Sequence, residues 1–497
     1  MLDPVARFPF RPGAGGERDA AVLRTTDPPV AAMAPGPELA ALVADLDPDG
    51  VSDHGLVELT AAAVRLTSWA HAVAARYAAL LAERPSMNPP WSRLTRPPAE
   101  SSVAGDELAM RLAWSSRAAG RLVRDGRAFG HHLGATGDAL ARGDLDAVRA
   151  RVLVDRLDDL PLVVALDVQE AVLTRAHSRT AAQLRADVER AAIAVDARDA
   201  AARRERARTR RRVDRPRVLA DGMAGLWAVL PAADAMRLDS VLGAAARTAR
   251  SAGDPRTLDQ LRADGLVDLV LHTACAEPDD RTVARSSPGS VGTAARPSDP
   301  CPDGRPRCPA RRGSAQIRVT VPLTTLMGED DEPAHLAGYG PVDAGTARAL
   351  AAGGVWRRLV TDPLSGAVLD LGRTRYRPTT ELAEHVVARD RTCARPGCGV
   401  PAESCDLDHT LEFHALPASD PDESRALGST GAGNLGPLCR RDHRLKTDGG
   451  FVLRQVRPGV FEWLTPTGHR YRCVPGLDPA LALHPPPRDP WPSPPPF

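Results

Sequence analysis

A chain of 497 residues with a formal net charge of +1 carries no global basic signal, so any attraction to phosphate must be local. Apolar residues make up 43% and aromatics only 4%, which favours closely packed helices over large β-sandwiches. The length exceeds one typical domain, and no apolar run reaches the roughly 20 residues that span a bilayer. No signal-peptide core opens the chain, so the expected location is the cytoplasm, with no membrane partner. Eight cysteines in such a setting favour thiols or metal ligands over a disulfide framework.

In chain order, residues 1–37 are rich in Pro and Gly and are expected to form a disordered leader. Residues 38–276 are expected to form a helical domain. Leu56, Leu59, Ala63, Leu66, Ala70, Val73 and Tyr77 recur at three- and four-residue spacing and predict a helix that stops before Pro85. Glu107–Phe129 reads as a second helix and Asp144–Leu157 as a third. Leu162–Arg212 reads as one or two long helices, Pro231–Ala252 as another with proline in its first turn, and Thr257–Cys275 as the last. Such a run implies a bundle.

Residues 277–314 lose all periodicity and read as a disordered linker that holds Cys301 and Cys308 as bystander thiols. Residues 315–378 read as a small mixed α/β segment: a strand at Gln316–Pro322, a helix at Asp343–Ala352 and a hairpin at Arg358–Asp370. Thr379 or Thr380 caps a helix through Asp390, with Glu381 in its first turn. Phe451–Val456 and Phe461–Leu464 flank Pro458-Gly459 as a further hairpin, and the tail beyond residue 475 is proline-rich. The expected fold class is mainly α with a small α+β C-terminal part.

The chemistry concentrates in one window. Cys393-x4-Cys398, Asp408-His409, Asn434, Cys439, His443 and Lys446 fall within it, and Lys446 is the only lysine among 64 basic residues. Asn434 is one of only two asparagines, the other being Asn88. Cutting a phosphodiester requires an activated water, neutralisation of developing charge and a positioned phosphate. His409 can take a proton from water while Asp408 holds a divalent cation, since adjacent strand residues point to opposite faces. Asn434 is neutral and can fix backbone or imidazole without competing for the proton. His443, on a following helix, can complete the metal site. A strand–loop–helix module this small gains rigidity from a structural zinc. Cys393 and Cys398 would donate from a first knuckle, and Cys439 from a helix start, with a residue one turn later as fourth ligand.

The stretches Cys393-Ala-Arg-Pro-Gly-Cys398, Cys405-Asp-Leu-Asp-His409, Gly433-Asn-Leu435 and Leu438-Cys-Arg-Arg-Asp-His-Arg-Leu-Lys-Thr447 together resemble the HNH (ββα-metal) endonucleases. The likeness is to the actinobacterial type with an N-terminal helical domain of unknown function (DUF222-like). Asp221-Gly-Met223, Arg262-Ala-Asp264 and Trp463-Leu-Thr-Pro-Thr-Gly468 look like that type too. The resemblance implies a helical N-terminal domain followed by a zinc-stapled nuclease module over residues 379–475. It implies Asp408 and His443 on a catalytic Mg²⁺ or Mn²⁺, His409 as general base, Asn434 as the middle letter, and products with a 5′-phosphate and a 3′-hydroxyl. Similar sequences carry His-His where this chain has Asp442-His443. Asp442 can ligate the structural zinc through oxygen, and Cys405 is an alternative thiolate.

Nine arginines lie between Arg203 and Arg217. They read either as a solvated helix end or as a phosphate-binding stripe in which Arg210, Arg211 and Arg212 hold DNA. Lys446 reads as a phosphate contact or a helix-end charge. His131-His132 fit a helix end, His385 a solvated helix face and His414 a loop. Cys275 is expected to end a helix and Cys473 to pack in the last strand. The leading expectation is a metal-dependent DNA endonuclease. The alternative is a non-catalytic zinc-binding nucleic-acid-binding module with a helical assembly domain.

Overall fold

Helix caps set the element boundaries in the first half of the chain. The computed structural model describes residues 30–47, 50–92, 101–197, 199–271, 317–352, 378–413, 428 and 430–476. The leader before residue 30, the 277–314 linker, Cys275, Cys301, Cys308, the Arg358–Asp370 hairpin, His414 and the tail past residue 476 lie outside the described residues. The chain divides into two units. The first contains the helices up to residue 197 together with Arg444–Val452 and Trp463–Tyr471, and the second contains the remainder.

In the first unit, α1 (Pro37–Asp45) and a single turn at Val30–Ala32 pack on α2 (Asp53–Ala82). Val30 and Leu39 are fully buried with Ala62, so order begins before the expected boundary at residue 37. The Ser52 side chain accepts the Gly55 amide at 3.0 Å and starts α2. The buried face of α2 is Gly55, Ala62, Ser68, Ala75, Ala78, Ala79 and Ala82. Of the stripe expected from sequence, Leu59 and Leu66 pack partly buried against the Val30, Leu39 and Ala62 cluster, while Leu56 is 41% and Tyr77 66% exposed. Small residues win because another backbone comes too close for larger ones. A Cβ on Gly126 would lie 1.9 Å from the Ala75 carbonyl oxygen.

The single helix expected over Glu107–Phe129 is two, α3 (Ala104–Leu112) and α4 (Ser116–Gly130). Ala113 adopts a left-handed conformation (φ +53°), and Ser115 then caps α4 by accepting the Ala118 amide. The two helices cross closely, and a Cβ on Gly105 would sit 2.8 Å from the Gly120 Cα. α5 (Gly134–Ala141), α6 (Ala147–Leu157), α7 (Leu162–Ala176) and α8 (Ala181–Val195) come next. Asp146 caps α6, and Thr180 and Gln183 form a capping box on α8. Leu133, Leu145, Leu153, Leu157, Val168, Leu184 and Val188 form their shared core. Thr465, Thr467 and His469 of the same unit gather around the buried Glu107 of α3, with Thr465 Oγ1 donating to its Oε1 at 2.8 Å.

In the second unit α9 (Ala200–Arg208) is short, so Leu162–Arg212 holds three helices and not one or two. The chain then forms a two-stranded ribbon from β1 (Arg212–Val213), β2 (Arg217–Val218), β3 (Ala224–Gly225) and β4 (Ala228–Val229). β1 pairs antiparallel with β4, and β2 with β3. Asp221 (φ +55°) and Gly222 (φ +75°) make the tip, the paired left-handed conformations of a tight hairpin turn. Register slips by one residue midway, where Arg215 and Pro216 face the single Leu226. That is a bulge, a place where proline's missing N–H costs no ladder bond. α10 (Ala232–Ser251) and α11 (Leu258–Leu271) pack as an antiparallel pair.

The expected mixed segment is present as β5 (Val319–Thr320), α12 (Leu323–Met327), β6 (Ala334–Leu336), β7 (Gly340–Val342) and α13 (Ala344–Ala351). Its strands form one antiparallel sheet in sequential order over Ala334, Val342 and Ala347. After it come α14 (Thr380–Asp390), β8 (Asp406–His409), β9 (Leu435–Leu438) and α15 (Arg440–Asp448). A last sheet holds β10 (Val452–Arg457), β11 (Val460–Leu464) and β12 (Arg470–Cys473) in order. Among the described residues no helix is long and apolar enough to cross a membrane.

Candidate metal centre and the adjoining Asp-His site

Thr379 starts α14 by accepting the Leu382 amide at 3.2 Å, as the sequence implies. Leu382 and Val386 of this helix are buried with Leu435 of β9. In the last turn of the helix, Arg389 ties it to the β9 region. Its guanidinium donates two bonds to Asp390, at 2.7 and 2.6 Å, and others to the carbonyls of Ala432 and Leu435. Asp390 is fully buried, and desolvation pushes it up to about 6 even against that arginine. His385 corrects the expectation of a solvated residue. It is 4% exposed, and burial, then the Arg389 charge, hold it down at about 4.

The segment after α14 folds into a knuckle. Cys393 N–H donates to the Val400 carbonyl and Ala394 N–H to the Pro437 carbonyl of β9, both at 2.8 Å. Gly397 takes φ +74° at the turn, which returns Cys398 toward Cys393. Helix α15 starts directly after β9, so Cys439 and Asp442 lie one turn apart on the same side. The three thiols and the Asp442 carboxylate have donor atoms all within 4.8 Å of one another. Among the described residues this is the one such group of three or more metal-ligating side chains.

The grouping could hold one metal ion. Asp442 Oδ2 accepts from Cys393 Sγ and Cys439 Sγ, each at 3.1 Å. Tetrahedral donors on one zinc, at about 2.0–2.3 Å from it, lie roughly 3.3–3.8 Å apart. Asp442 is fully buried and Cys393 is 1% exposed, while Cys398 is partly exposed. Burial pushes Asp442 up to about 6, with the Arg395 charge opposing and Cys439 reinforcing the rise. Hydrogen bonds with Cys393 and Cys439 lower the Cys398 thiol, while hydrogen bonds with Cys398, Cys405 and Cys439 raise Cys393.

Sequence reasoning missed Arg395, which sits inside the knuckle at 2% exposure. Its Nε lies 2.7 Å from Asp442 Oδ1. The carboxylate therefore faces two ways, one oxygen toward the sulfurs and the other toward a buried guanidinium. Cys405, the other candidate ligand, approaches the carbonyls of Pro401 and Val400 at 3.4 and 3.9 Å and is outside the cluster. Cys473 lies in β12, as expected, and burial pushes its thiol up to about 12.

The second group lies on β8. The strand pairs antiparallel with β9, Asp408 opposite Gly436 and His409 opposite Leu435. Gly436 is required there because a Cβ would meet the Phe461 ring at 2.5 Å. Asp408 Oδ1 lies 3.6 Å from His443 Nε2 of α15, and both side chains are partly exposed. His409 is 5% exposed, and its Nε2 is 2.8 Å from Thr430 Oγ1, a partner that sequence reasoning did not name. Asn434 closes the loop after β8. Its Oδ1 accepts from Thr410 Oγ1 and the Leu411 amide, and its Nδ2 donates to the Leu411 carbonyl. The structure thus brings Asp408, His409, Asn434 and His443 onto one hairpin–helix unit. Lys446 lies in the last turn of α15, where a cation complements the helix dipole. Arg210, Arg211 and Arg212 lie beyond α9, in a turn and the first ribbon strand, not on a helix.

A family model described as a domain of unknown function, DUF222, matches residues 53–390. The uncharacterized protein Rv2100 of Mycobacterium tuberculosis (strain ATCC 25618 / H37Rv) is 33% identical over 280 residues, 51% of this chain and 47% of its own length. Rv3776 of the same strain, also uncharacterized, is 34% identical over 263 residues with the same coverage. The chain therefore spans about half the length of these curated relatives. No solved structure gives a significant match.

Proposed function

We propose that this chain, which belongs to the DUF222 family, is a metal-dependent endonuclease of the HNH type that hydrolyses phosphodiester bonds in DNA. The observation that carries the reading is the joint placement of Asp408, His409, Asn434 and His443 on an antiparallel hairpin followed by a helix. Asp408 Oδ1 and His443 Nε2 lie 3.6 Å apart, so closing by about 0.6 Å would make them neighbouring donors to one octahedral ion at about 2.1 Å. Mg²⁺ or Mn²⁺ bound there would supply charge neutralisation on the phosphorane and the leaving oxygen. Partial exposure of both donors fits a site that must stay open to substrate, in contrast to the more buried Cys/Asp cluster.

His409 is the general base. Its Nε2 lies 2.8 Å from Thr430 Oγ1, a contact that would orient the imidazole as it takes the proton of the attacking water. The water oxygen would bond to phosphorus as the P–O3′ bond breaks, and the departing 3′ oxygen would take a proton from solvent to become the hydroxyl. Asn434 acts at one remove, by fixing the loop that follows His409. The Cys393, Cys398, Cys439 and Asp442 cluster is assigned a structural zinc, which would staple a module too small for a large core. Arg210, Arg211, Arg212 and Lys446 are assigned to phosphate.

Plasmid nicking with Mg²⁺ or Mn²⁺ tests the reading. Wild type should nick, and His409→Ala and His443→Ala should each lose at least about a hundredfold in rate. Nicking that survives His409→Ala would rule out this active site. DNA binding without cleavage under either metal would leave the non-catalytic zinc module as the function. Metal analysis should find one tightly held zinc that is lost in Cys393→Ser.

A further inference from the structure

The ribbon between α9 and α10 combines two features that only one class of partner needs together. Residues 203–217 hold nine arginines against two acidic residues, Glu205 and Asp214, in a chain whose total charge is only +1. The opposite strand of the ribbon bears Trp227, 58% exposed, with Leu226 at 58% and Met223 at 63% beside it. The Asp214 amide donates to the Trp227 carbonyl at 2.8 Å, so the indole is opposite Asp214. Alternation along the strand then puts Trp227 on the face that carries Asp214 and Arg212. Arg212 is itself held by Asp214 at 2.8 Å.

An exposed indole offers a face for stacking, and the arginines of the facing strand select for phosphate. We infer that this ribbon binds a single-stranded segment of the nuclease's DNA, with Trp227 stacking an unpaired base and Arg212 and Arg217 on the flanking phosphates. A base in a duplex is already stacked on both faces and has no free face to offer. Arginine-lined grooves with aromatic platforms are the general solution for single strands. The tight Asp221-Gly222 tip and the bulge at Arg215-Pro216 give the ribbon a fixed bend and twist on which a strand can lie. That the acid is DNA rests on the nuclease reading; that it is single-stranded rests on the ribbon alone.

The test is fluorescence anisotropy with the full chain, without added divalent cation. The probes are a labelled oligothymidine of about 15 nucleotides and a duplex of equal length. Wild type should prefer the single strand. Trp227→Ala should weaken single-strand binding at least about fivefold and leave duplex binding unchanged, whereas Trp227→Phe should retain most of the affinity. Arg212→Ala with Arg217→Ala should flatten the logarithmic salt slope on the single strand by about 1.4. Equal affinity for both probes, or single-strand binding indifferent to Trp227→Ala, would overturn the inference. So would light scattering in which Trp227→Ala turns a dimer into a monomer with unchanged DNA affinity, which would give this face to a second copy. Trp227-dependent binding without any nicking would sink the catalytic reading and leave this one standing.

Discussion

Replacing Arg395 by alanine should weaken zinc binding at the Cys393, Cys398, Cys439 and Asp442 cluster by about a hundredfold. Charge sets the size of the effect. Three thiolates and a carboxylate bring four negative charges to a divalent ion, leaving an excess of two in a buried site. A histidine in place of the carboxylate would leave an excess of one. Arg395, buried and 2.7 Å from Asp442 Oδ1, returns the present site to that value. Two unit charges about 4 Å apart attract by about 4 kcal/mol at an effective dielectric of 20. Removing one member of a buried pair costs about 3–5 kcal/mol, because the other is left without a counter-charge. The bound cation recovers part of that for Asp442, so about 3 kcal/mol, or about a hundredfold in affinity, is the working figure.

Competition with a chromophoric chelator reads the affinity directly, and circular dichroism of the zinc-loaded protein checks that the variant is folded. A double-mutant cycle separates charge from packing. Asp442→His alone should also lose affinity, since it leaves a buried guanidinium facing a neutral ligand. Asp442→His with Arg395→Met should recover most of the loss. Affinity within about threefold of wild type for Arg395→Ala would refute the charge balance drawn here, as would simple additivity of the two single changes.

Three further outcomes are expected from the structure. His385 is held down at about 4, against an ordinary value of 6.5, so its contribution is complete above pH 6.5 and is lost as pH falls toward 4. Asp390 has the opposite sign: pushed up to about 6, its contribution is lost as pH rises from 3.8 through 6. His385→Gln should therefore cut the fall in urea midpoint between pH 7 and pH 4.5, and an unchanged fall would show that another group governs it. Asn434→Ala removes three hydrogen bonds from a residue 8% exposed and should cost about 1–3 kcal/mol, with faster hydrogen exchange at the Leu411 amide. Unchanged protection at Leu411 would mean that the loop is held by other contacts. Gly126→Ala places a Cβ 1.9 Å from the Ala75 carbonyl oxygen and should destabilise by about 3 kcal/mol or more. Gly130→Ala, with nothing within 4 Å, is the neutral comparison in the same thermal melt.

Features that depend on residue type at short range were legible in the sequence. Thr379 and Asp146 cap helices because their side-chain oxygens satisfy amides three residues on, and that chemistry is local. The grouping of Cys393, Cys398 and Cys439 was legible for the same reason, since few other residue types can serve as metal ligands. The face of α2 was legible only in part. Leu59 and Leu66 of the stripe pack against the Val30 and Leu39 cluster, but toward α4 glycine and alanine let two backbones approach until leucine no longer fits. The start of the ribbon reads as helix in the sequence because arginine has high helix propensity, and the signals against it (Pro216 and Asp221-Gly222) are confined to single turn positions. Arg395 was invisible for a deeper reason. An arginine between two cysteines has no meaning until the chain brings Asp442 to it, and the need for Asp442 to have a partner arises only once both are buried. Trp227 belongs to the same class. Its position as an aromatic beside a cationic strand is set by the register of a hairpin, which no spacing within either strand reveals.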